Sequence, residues 1–261
     1  MPRTHVVTGA GSGIGKETKA LLESKGDRVI GVDLHGSEIS ADLSKPAGRT
    51  EAISKITTLS NGVIDSLIAN AGSAAPVAST VAINYYGAIE LIKGCRPLLA
   101  KSKSPRVVAT SSMATLLPVD DELIEAMLSG SEAAALSRAE ALVKQGSGAE
   151  QKIYSSSKRA LSRWIRRECT KSEWAGSGIP INAVAPGIVK TPMVAEMIAT
   201  EAGRAALAKT VPMPLHGYLE AASVAQLIIW LVSEANTHVT GQTIYIDGGS
   251  DVAIRGDDIW K

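Results

Sequence analysis

Short apolar runs that end in small or polar residues alternate along this chain with stretches whose apolar positions recur at helical spacing. Val6 and Val7 run into the loop Thr8–Gly15, and a helical pattern through Leu21 and Leu22 stops at Gly26. A second strand is predicted over 28–32, a short one over 37–41, and further strands over 64–69, 106–110, 179–185 and 243–246. Between them, helices are predicted over 45–60, over 80–100 and from Glu220 through the apolar run Leu227–Val232. Strands alternating with helices at this spacing predict a single-domain α/β fold, a Rossmann-like, doubly wound parallel sheet of about seven strands over 1–261. Only eight residues separate Asp33 from Asp42, too few for a crossover helix, so that connection is expected to lack one.

Composition narrows the class without naming a function. With 261 residues and 45% hydrophobic content the chain can bury one large core, built without phenylalanine from Val, Ile, Leu, Ala and Met. A net charge of +1 provides no broad field for nucleic acid or an anionic membrane, so neither is an expected partner. Cys95 and Cys169 fall in helical patterns without metal-like spacing, which predicts reduced core thiols and no metal site. The first residues enter a strand with no leader-like pattern, and the longest apolar run is too short for a span; cytoplasm is the expected compartment.

The chemistry gathers at the predicted strand ends. An apolar strand, a glycine turn and a helix can hold a pyrophosphate on backbone amides and a helix N-terminus, which nominates Gly9, Ser12, Gly13, Ile14 and Gly15. Asp33 lies 18 residues after Gly15, near the distance at which an acid meets the adenosine ribose. Its carboxylate would accept from the ribose hydroxyls and repel a 2′-phosphate, favouring NAD over NADP, while Ser12 and His35 supply no permanent positive charge to offset it. The strand over 64–69 delivers Asn70, Ala71 and Gly72, small enough for a flat ligand to lie against the backbone, and the strand over 106–110 delivers Ser111 and Ser112. Tyr154 and Lys158, four apart, share a helix face, where a fixed ammonium would draw the phenol pKa down toward general-base work.

Taken together, these residues resemble the short-chain dehydrogenase/reductase family over nearly the whole chain. Its TGxxxGIG signature stands at Thr8–Gly15, its NAG at Asn70–Gly72, its serine at Ser112, its YxxxK at Tyr154–Lys158, and its PG motif at Pro186–Gly187 with Thr191 following. The resemblance implies that Tyr154 is the general acid/base and that Lys158 lowers its pKa while holding the nicotinamide ribose. It implies that Ser112 binds the substrate oxygen and that Asn84 completes a water-linked proton relay. NAD would be the cofactor: Asp33, Asp42 and Leu43 would bind its adenosine, Asn70, Ala71 and Gly72 would line it, and Pro186, Gly187, Ile188 and Thr191 would hold the nicotinamide end. Ser112 and Tyr154 lie 42 positions apart, more than is usual in the family, so an insertion is expected over about 117–150. Leu123, Ile124, Met127 and Leu128, then Leu136, Ala139, Leu142 and Val143, predict two amphipathic helices in it, projecting beside the active site.

That insertion, with the missing helix after Asp33, resembles the subgroup typified by bacterial 3-alpha-hydroxysteroid dehydrogenase/carbonyl reductase. The subgroup implies reversible oxidation of a bulky apolar secondary alcohol, a 3-hydroxysteroid first and another cyclic or aryl alcohol such as a terpenoid second. Residues 192–219 would form the substrate lid, with Met113, Met193 and Met197 among the groups touching the substrate, since methionine adapts to irregular apolar shapes. The insertion would obstruct a helix contact through which many family members tetramerise, so a homodimer is expected. A protein of another class, an NAD sensor without turnover, would need the glycine loop but not Ser112, Tyr154 and Lys158. Arg163, Arg166 and Arg167 read as a solvated or interface face, and the Arg255-Gly256-Asp257 tripeptide as chance.

Overall fold

The computed structural model describes residues 2–257 and Ile259. Its centre is a seven-stranded sheet in the order β3-β2-β1-β4-β5-β6-β7, every neighbouring pair parallel. The strands are β1 (Thr4–Thr8), β2 (Arg28–Asp33), β3 (Ile39–Ser40), β4 (Ser66–Ala69), β5 (Arg106–Thr110), β6 (Ile181–Pro186) and β7 (Thr243–Ile246). Successive side chains face opposite sides of the sheet, so Val6, Leu67 and Val107 enter one core and Val7, Ile68 and Val108 the other. Because both faces are covered, the central strands are buried throughout rather than alternating.

Helices α1 (Gly13–Ser24) and α10 (Ala221–Val232) cover one face, through Leu22, Val224, Ile228 and Leu231. The other face takes α2 (Pro46–Leu59), α3 (Ser79–Val81) running through a π-helical turn at Ala82–Gly87 into α4 (Ala88–Leu99), and later α7 (Lys152–Glu168). Ile56, Leu91, Ile92, Leu161 and Ile165 are buried there, each contributing about 1.5–3 kcal/mol by leaving water. Cys95 and Cys169 are free and buried, and burial pushes the Cys95 thiol up to about 12, so it stays protonated. Among the described residues no helix is long and apolar enough to cross a membrane.

The connection after β2 has no helix, as the spacing predicts. The chain turns through Gly36, at φ +68°, and returns parallel, with Val32 opposite Ile39 and Asp33 opposite Ser40. Parallel neighbours ordinarily need a dozen or more residues between them. Here Ser40 Oγ donates to the Leu34 carbonyl at 2.5 Å and the Glu38 carboxylate accepts the Gly31 N–H at 2.8 Å, which closes the short loop on itself.

The insertion forms α5 (Asp121–Leu128) and α6 (Glu132–Gln145), where the apolar spacing puts them. Asp120 caps α5 by accepting the Leu123 N–H at 2.8 Å and also takes both arms of Arg138 from α6, at 2.9 and 2.6 Å. That guanidinium holds the Asp120 carboxyl below its usual range. Leu123, Ile124 and Met127 are buried against the helices of this face, and Arg163 of α7 pairs with Glu125 at 2.7 Å. Helix α5 thus packs on α7, and α6 on α5 and on α3, and neither lines the cleft as a projection beside the active site would. A second tether runs from α2, where the buried Arg49 binds Glu90 of α4 at 2.6 Å, Glu132 of α6 at 2.5 Å and the Leu43 carbonyl at 3.3 Å.

The remaining elements are α8 (Ala195–Ala199) and α9 (Glu201–Thr210), none of whose side chains is fully buried, and α11 (Ser250–Arg255). Arg255 of the tripeptide pairs with Asp251 and lies 5.4 Å above the Tyr245 ring, so it is engaged within the chain.

Candidate active site

In a doubly wound sheet, ligands bind beyond the carboxyl ends of the strands where the order reverses. That point lies between β1 and β4, and a cleft of about 800 Å³, open to solvent, starts there. One end is the glycine loop. Gly9 holds φ +68°, a conformation side chains rarely adopt, and a Cβ on Gly15 would sit 2.1 Å from the Gly9 carbonyl oxygen. Helix α1 can therefore press onto β1 only with glycine at 15, leaving its first-turn amides free to meet an anion. Thr8 Oγ1 accepts the N–H groups of Asn70 and Ala71, each at 2.9 Å. Asn70 in turn donates to the Thr8 carbonyl at 3.2 Å and accepts from Thr110 Oγ1 at 3.0 Å, stitching the ends of β1, β4 and β5.

Asp33 closes the far end of this loop. One carboxylate oxygen accepts the Gly11 N–H at 2.8 Å and the other the Leu34 N–H at 2.7 Å, so the acid shapes the loop that would receive the adenosine. Asp42 accepts from the Ser44 hydroxyl at 2.6 Å, which holds its carboxyl below the ordinary range, and Leu43 is buried in the core.

The other end of the cleft carries the polar side chains. Ser112, Tyr154 and Lys158 all line it, from the end of β5 and the first turns of α7. Ser112 Oγ accepts the Ala114 N–H at 3.1 Å, capping a 3-10 turn over Met113–Leu116; its own proton is left for another acceptor. The sequence leads to an ammonium-lowered phenol, and in the structure burial acts on both groups of the pair. Lys158 Nζ lies 5.9 Å from the centre of the Tyr154 ring and donates to the Thr110 carbonyl at 2.7 Å. Burial raises the Tyr154 pKa, the Ser112 hydroxyl pulls it partly back, and burial takes Lys158 itself down to about 8. The lysine thus stands over the tyrosine ring while reaching back to β5 with one N–H.

Asn84 sits in the π-helical turn, fully buried. It accepts the Ser73 N–H at 2.8 Å and donates to the Ser73 carbonyl at 2.9 Å and to Ser157 Oγ at 3.0 Å. A Cβ on Gly72 would lie 2.8 Å from Asn84 Oδ1 and 3.4 Å from Lys158 Nζ, so both groups press on that one glycine from the same side.

Of the other expected residues, Gly9, Ser12, Gly13, Ile14, Asn70, Ala71, Gly72, Pro186, Gly187, Thr191 and Met193 line the cleft. Asp33, Asp42, Leu43, Asn84 and Ile188 stand outside its lining, Ile188 with its N–H on the Met213 sulfur at 3.2 Å. Met113 is buried with Ile188 and Val211 beneath the 192–219 segment, while Met197 is 42% exposed on α8. Sequence reasoning missed Ser73, Thr110, Val189, Pro192 and Val194, which also line the cleft. Each lies within a few residues of a strand end or of the PG motif, and that position was the available signal.

Comparison with known proteins agrees with this geometry. Residues 3–123 match the short chain dehydrogenase family and residues 119–251 the family described as enoyl-(acyl carrier protein) reductase. The chain is 32% identical over 255 residues to 3-alpha-hydroxysteroid dehydrogenase/carbonyl reductase of Comamonas testosteroni, covering 96% of this chain and 97% of that one. It is 29% identical to coniferyl-alcohol dehydrogenase of Pseudomonas sp. strain HR199, over 94% of each. The 3-alpha-hydroxysteroid dehydrogenase of Pseudomonas sp. B-0831, solved with NADH, superimposes with a TM-score of 0.88 at 34% identity, covering 97% of this chain and 99% of that one. The chain therefore belongs to the short-chain dehydrogenase/reductase family. It is an oxidoreductase of the nicotinamide-dependent kind, and the glycine cradle, a helix end that a Cβ at 15 would close, fits that cofactor.

Proposed function

We propose that the protein oxidises a bulky apolar secondary alcohol to its ketone, reversibly and with NAD, a 3-hydroxysteroid being the preferred substrate. The observation that carries this is the convergence of Ser112, Tyr154 and Lys158 on one end of a cleft whose other end is the glycine loop. Bound at that loop, NAD supplies a hydride acceptor. Tyr154 accepts the hydroxyl proton of the alcohol as its C–H bond breaks, and returns it when a ketone is reduced. Ser112, its oxygen lone pair engaged by Ala114, donates to the reacting oxygen and fixes the alcohol against the phenol. Lys158, anchored on the Thr110 carbonyl, and Asn84, beside the same glycine, hold the position from which a proton leaves Tyr154. Asp33 selects NAD, its charge opposing a 2′-phosphate.

The hydroxysteroid reading is supported by the two relatives of that description, which match nearly end to end, and by Met193, Val189 and Val194 as an apolar flank of the cleft. An aryl carbinol is the second reading, favoured by the coniferyl-alcohol dehydrogenase relative. We also take the enzyme to be cytoplasmic, and to be a homodimer because α5 of the insertion covers part of α7; light scattering on the purified protein tests the dimer. The deciding assay is NADH formation with NAD, and separately NADP, across hydroxysteroids, terpene alcohols and aryl carbinols, for the wild type and Tyr154→Phe. Oxidation of a 3-hydroxysteroid that collapses in the variant is the expected result. Binding of NAD without turnover of any alcohol or ketone would favour a sensor.

A further inference from the structure

Helix α7 carries a second functional arm beside Lys158. Arg159 points away from the cleft and lays its guanidinium along the 3-10 turn that follows Ser112, donating from Nε to the Thr115 carbonyl at 2.7 Å and from Nη2 to the Leu117 carbonyl at 3.0 Å. The same turn closes on Ser112 itself: the Thr115 N–H donates to the Ser112 carbonyl at 3.2 Å and the Ala114 N–H to its hydroxyl oxygen at 3.1 Å. Two further serines of α7 reach the segment that follows, Ser155 Oγ donating to the Pro118 carbonyl at 2.6 Å and Ser156 Oγ accepting the Asp120 N–H at 2.9 Å. On its other side Thr115 Oγ1 meets the Tyr245 hydroxyl at 2.8 Å, and Met113 packs with Ile188 and Val211.

We infer that Arg159 is a positioning residue, whose two hydrogen bonds to the 113–117 turn set the distance between the Ser112 hydroxyl and Tyr154. The inference rests on the roles proposed above for Ser112 and Tyr154. Its physical basis is that the serine and the tyrosine come from different elements, β5 and α7, and a hydrogen bond between them needs those elements fixed within a fraction of an ångström. A guanidinium does this better than an ammonium, because its planar donors form a fixed fork that addresses two carbonyls at once. The titratable groups around Arg159 are Asp121, Arg163 and the Tyr245 phenol, and the cation itself stays charged throughout the working range. Around Tyr154, Ser112 is the group that eases ionisation of the phenol against the effect of burial. Loosening the turn therefore shifts the alkaline requirement of alcohol oxidation upward, in the same direction as removing the serine hydroxyl.

The test compares wild type, Arg159→Met, Arg159→Lys, Ser112→Ala and the double variant Arg159→Met/Ser112→Ala in steady-state oxidation of the best alcohol across pH. Arg163→Met serves as a control, removing a charge from the next turn of the same helix without touching the 113–117 turn. We expect Arg159→Met to lower kcat roughly tenfold to a hundredfold, with KM for NAD near the wild-type value, and to move the pH–rate profile to higher pH. Arg159→Lys should recover part of kcat, and the double variant should fall no further than Ser112→Ala alone. NADH binding and the unfolding midpoint, measured on each variant, separate positioning from folding. Wild-type kcat and pH profile in Arg159→Met would overturn the inference, as would additive losses in the double variant or a loss of kcat that tracks a loss of NADH binding. If instead Tyr154→Phe stays active, the proposed roles themselves fail, and that outcome is read from a separate variant.

Discussion

Asp33 does two things at once with one carboxylate. It accepts the Gly11 and Leu34 N–H groups and thereby shapes the loop, and its charge faces the place where an adenosine ribose would lie. Asp33→Asn removes the charge and keeps one of the two acceptors, since an amide nitrogen cannot accept an N–H. We expect it to raise kcat/KM with NADP roughly tenfold and to lower that with NAD, measured by steady-state kinetics with each cofactor. Residues of this kind were legible in the sequence because their partners are near in the chain or lie in a motif of fixed spacing: the glycines, Asp33, Ser112 and the Tyr154–Lys158 pair. Arg159 was not, since its partners Thr115 and Leu117 lie more than forty positions away and an arginine on a helix has no pattern that points to them. Nor was the bond from Lys158 to the Thr110 carbonyl, because helical spacing fixes a face and not the partner on another element.

At the scale of elements, α8 and α9 stand apart from the rest. None of their side chains is fully buried; Ile198 and Leu207 pack half-buried on a small cluster of Met113, Ile188 and Val211. A segment with so little buried surface opens at low cost and gains order only from what binds beneath it. Trypsin should therefore cleave at Arg204 or Lys209 in the free enzyme, and NADH together with a hydroxysteroid should slow that cleavage roughly tenfold. Equal cleavage rates with and without ligands would show that the segment does not close. The order of strands and helices was legible from periodicity, and so were both insertion helices. The π-helical turn around Asn84 was not, because six residues are too few for a change of period to emerge from the apolar pattern. The packing of α5 on α7 and of α6 on α5 was also hidden, since an amphipathic pattern tells that a face is buried without telling against what.

For the molecule as a whole, Lys158 links catalysis to stability. Its folded pKa, about 8, lies below the 10.5 of an unperturbed lysine, so the unfolded chain binds more protons between those values. Stability contributed by this group therefore rises as pH climbs from about 8 to about 10.5, and below that window the cost of burying the cation is fully present. Lys158→Met should abolish alcohol oxidation yet stabilise the free protein by about 1–3 kcal/mol at pH 7, the loss of the bond to Thr110 offsetting part of the gain. Urea unfolding at pH 7 and at pH 10 checks this: the advantage of the variant should shrink at the higher pH. Arg49 carries a different kind of link, between present structure and descent. Its guanidinium lies between Glu90 of the common framework and Glu132 of the insertion while holding the Leu43 carbonyl. A chain that lost residues 117–150 would strand a buried cation with one carboxylate in place of two. The insertion and the arginine are thus bound to be inherited together, and an aligned set of relatives should carry arginine at this position where the extra helices are present and a smaller apolar residue where they are not.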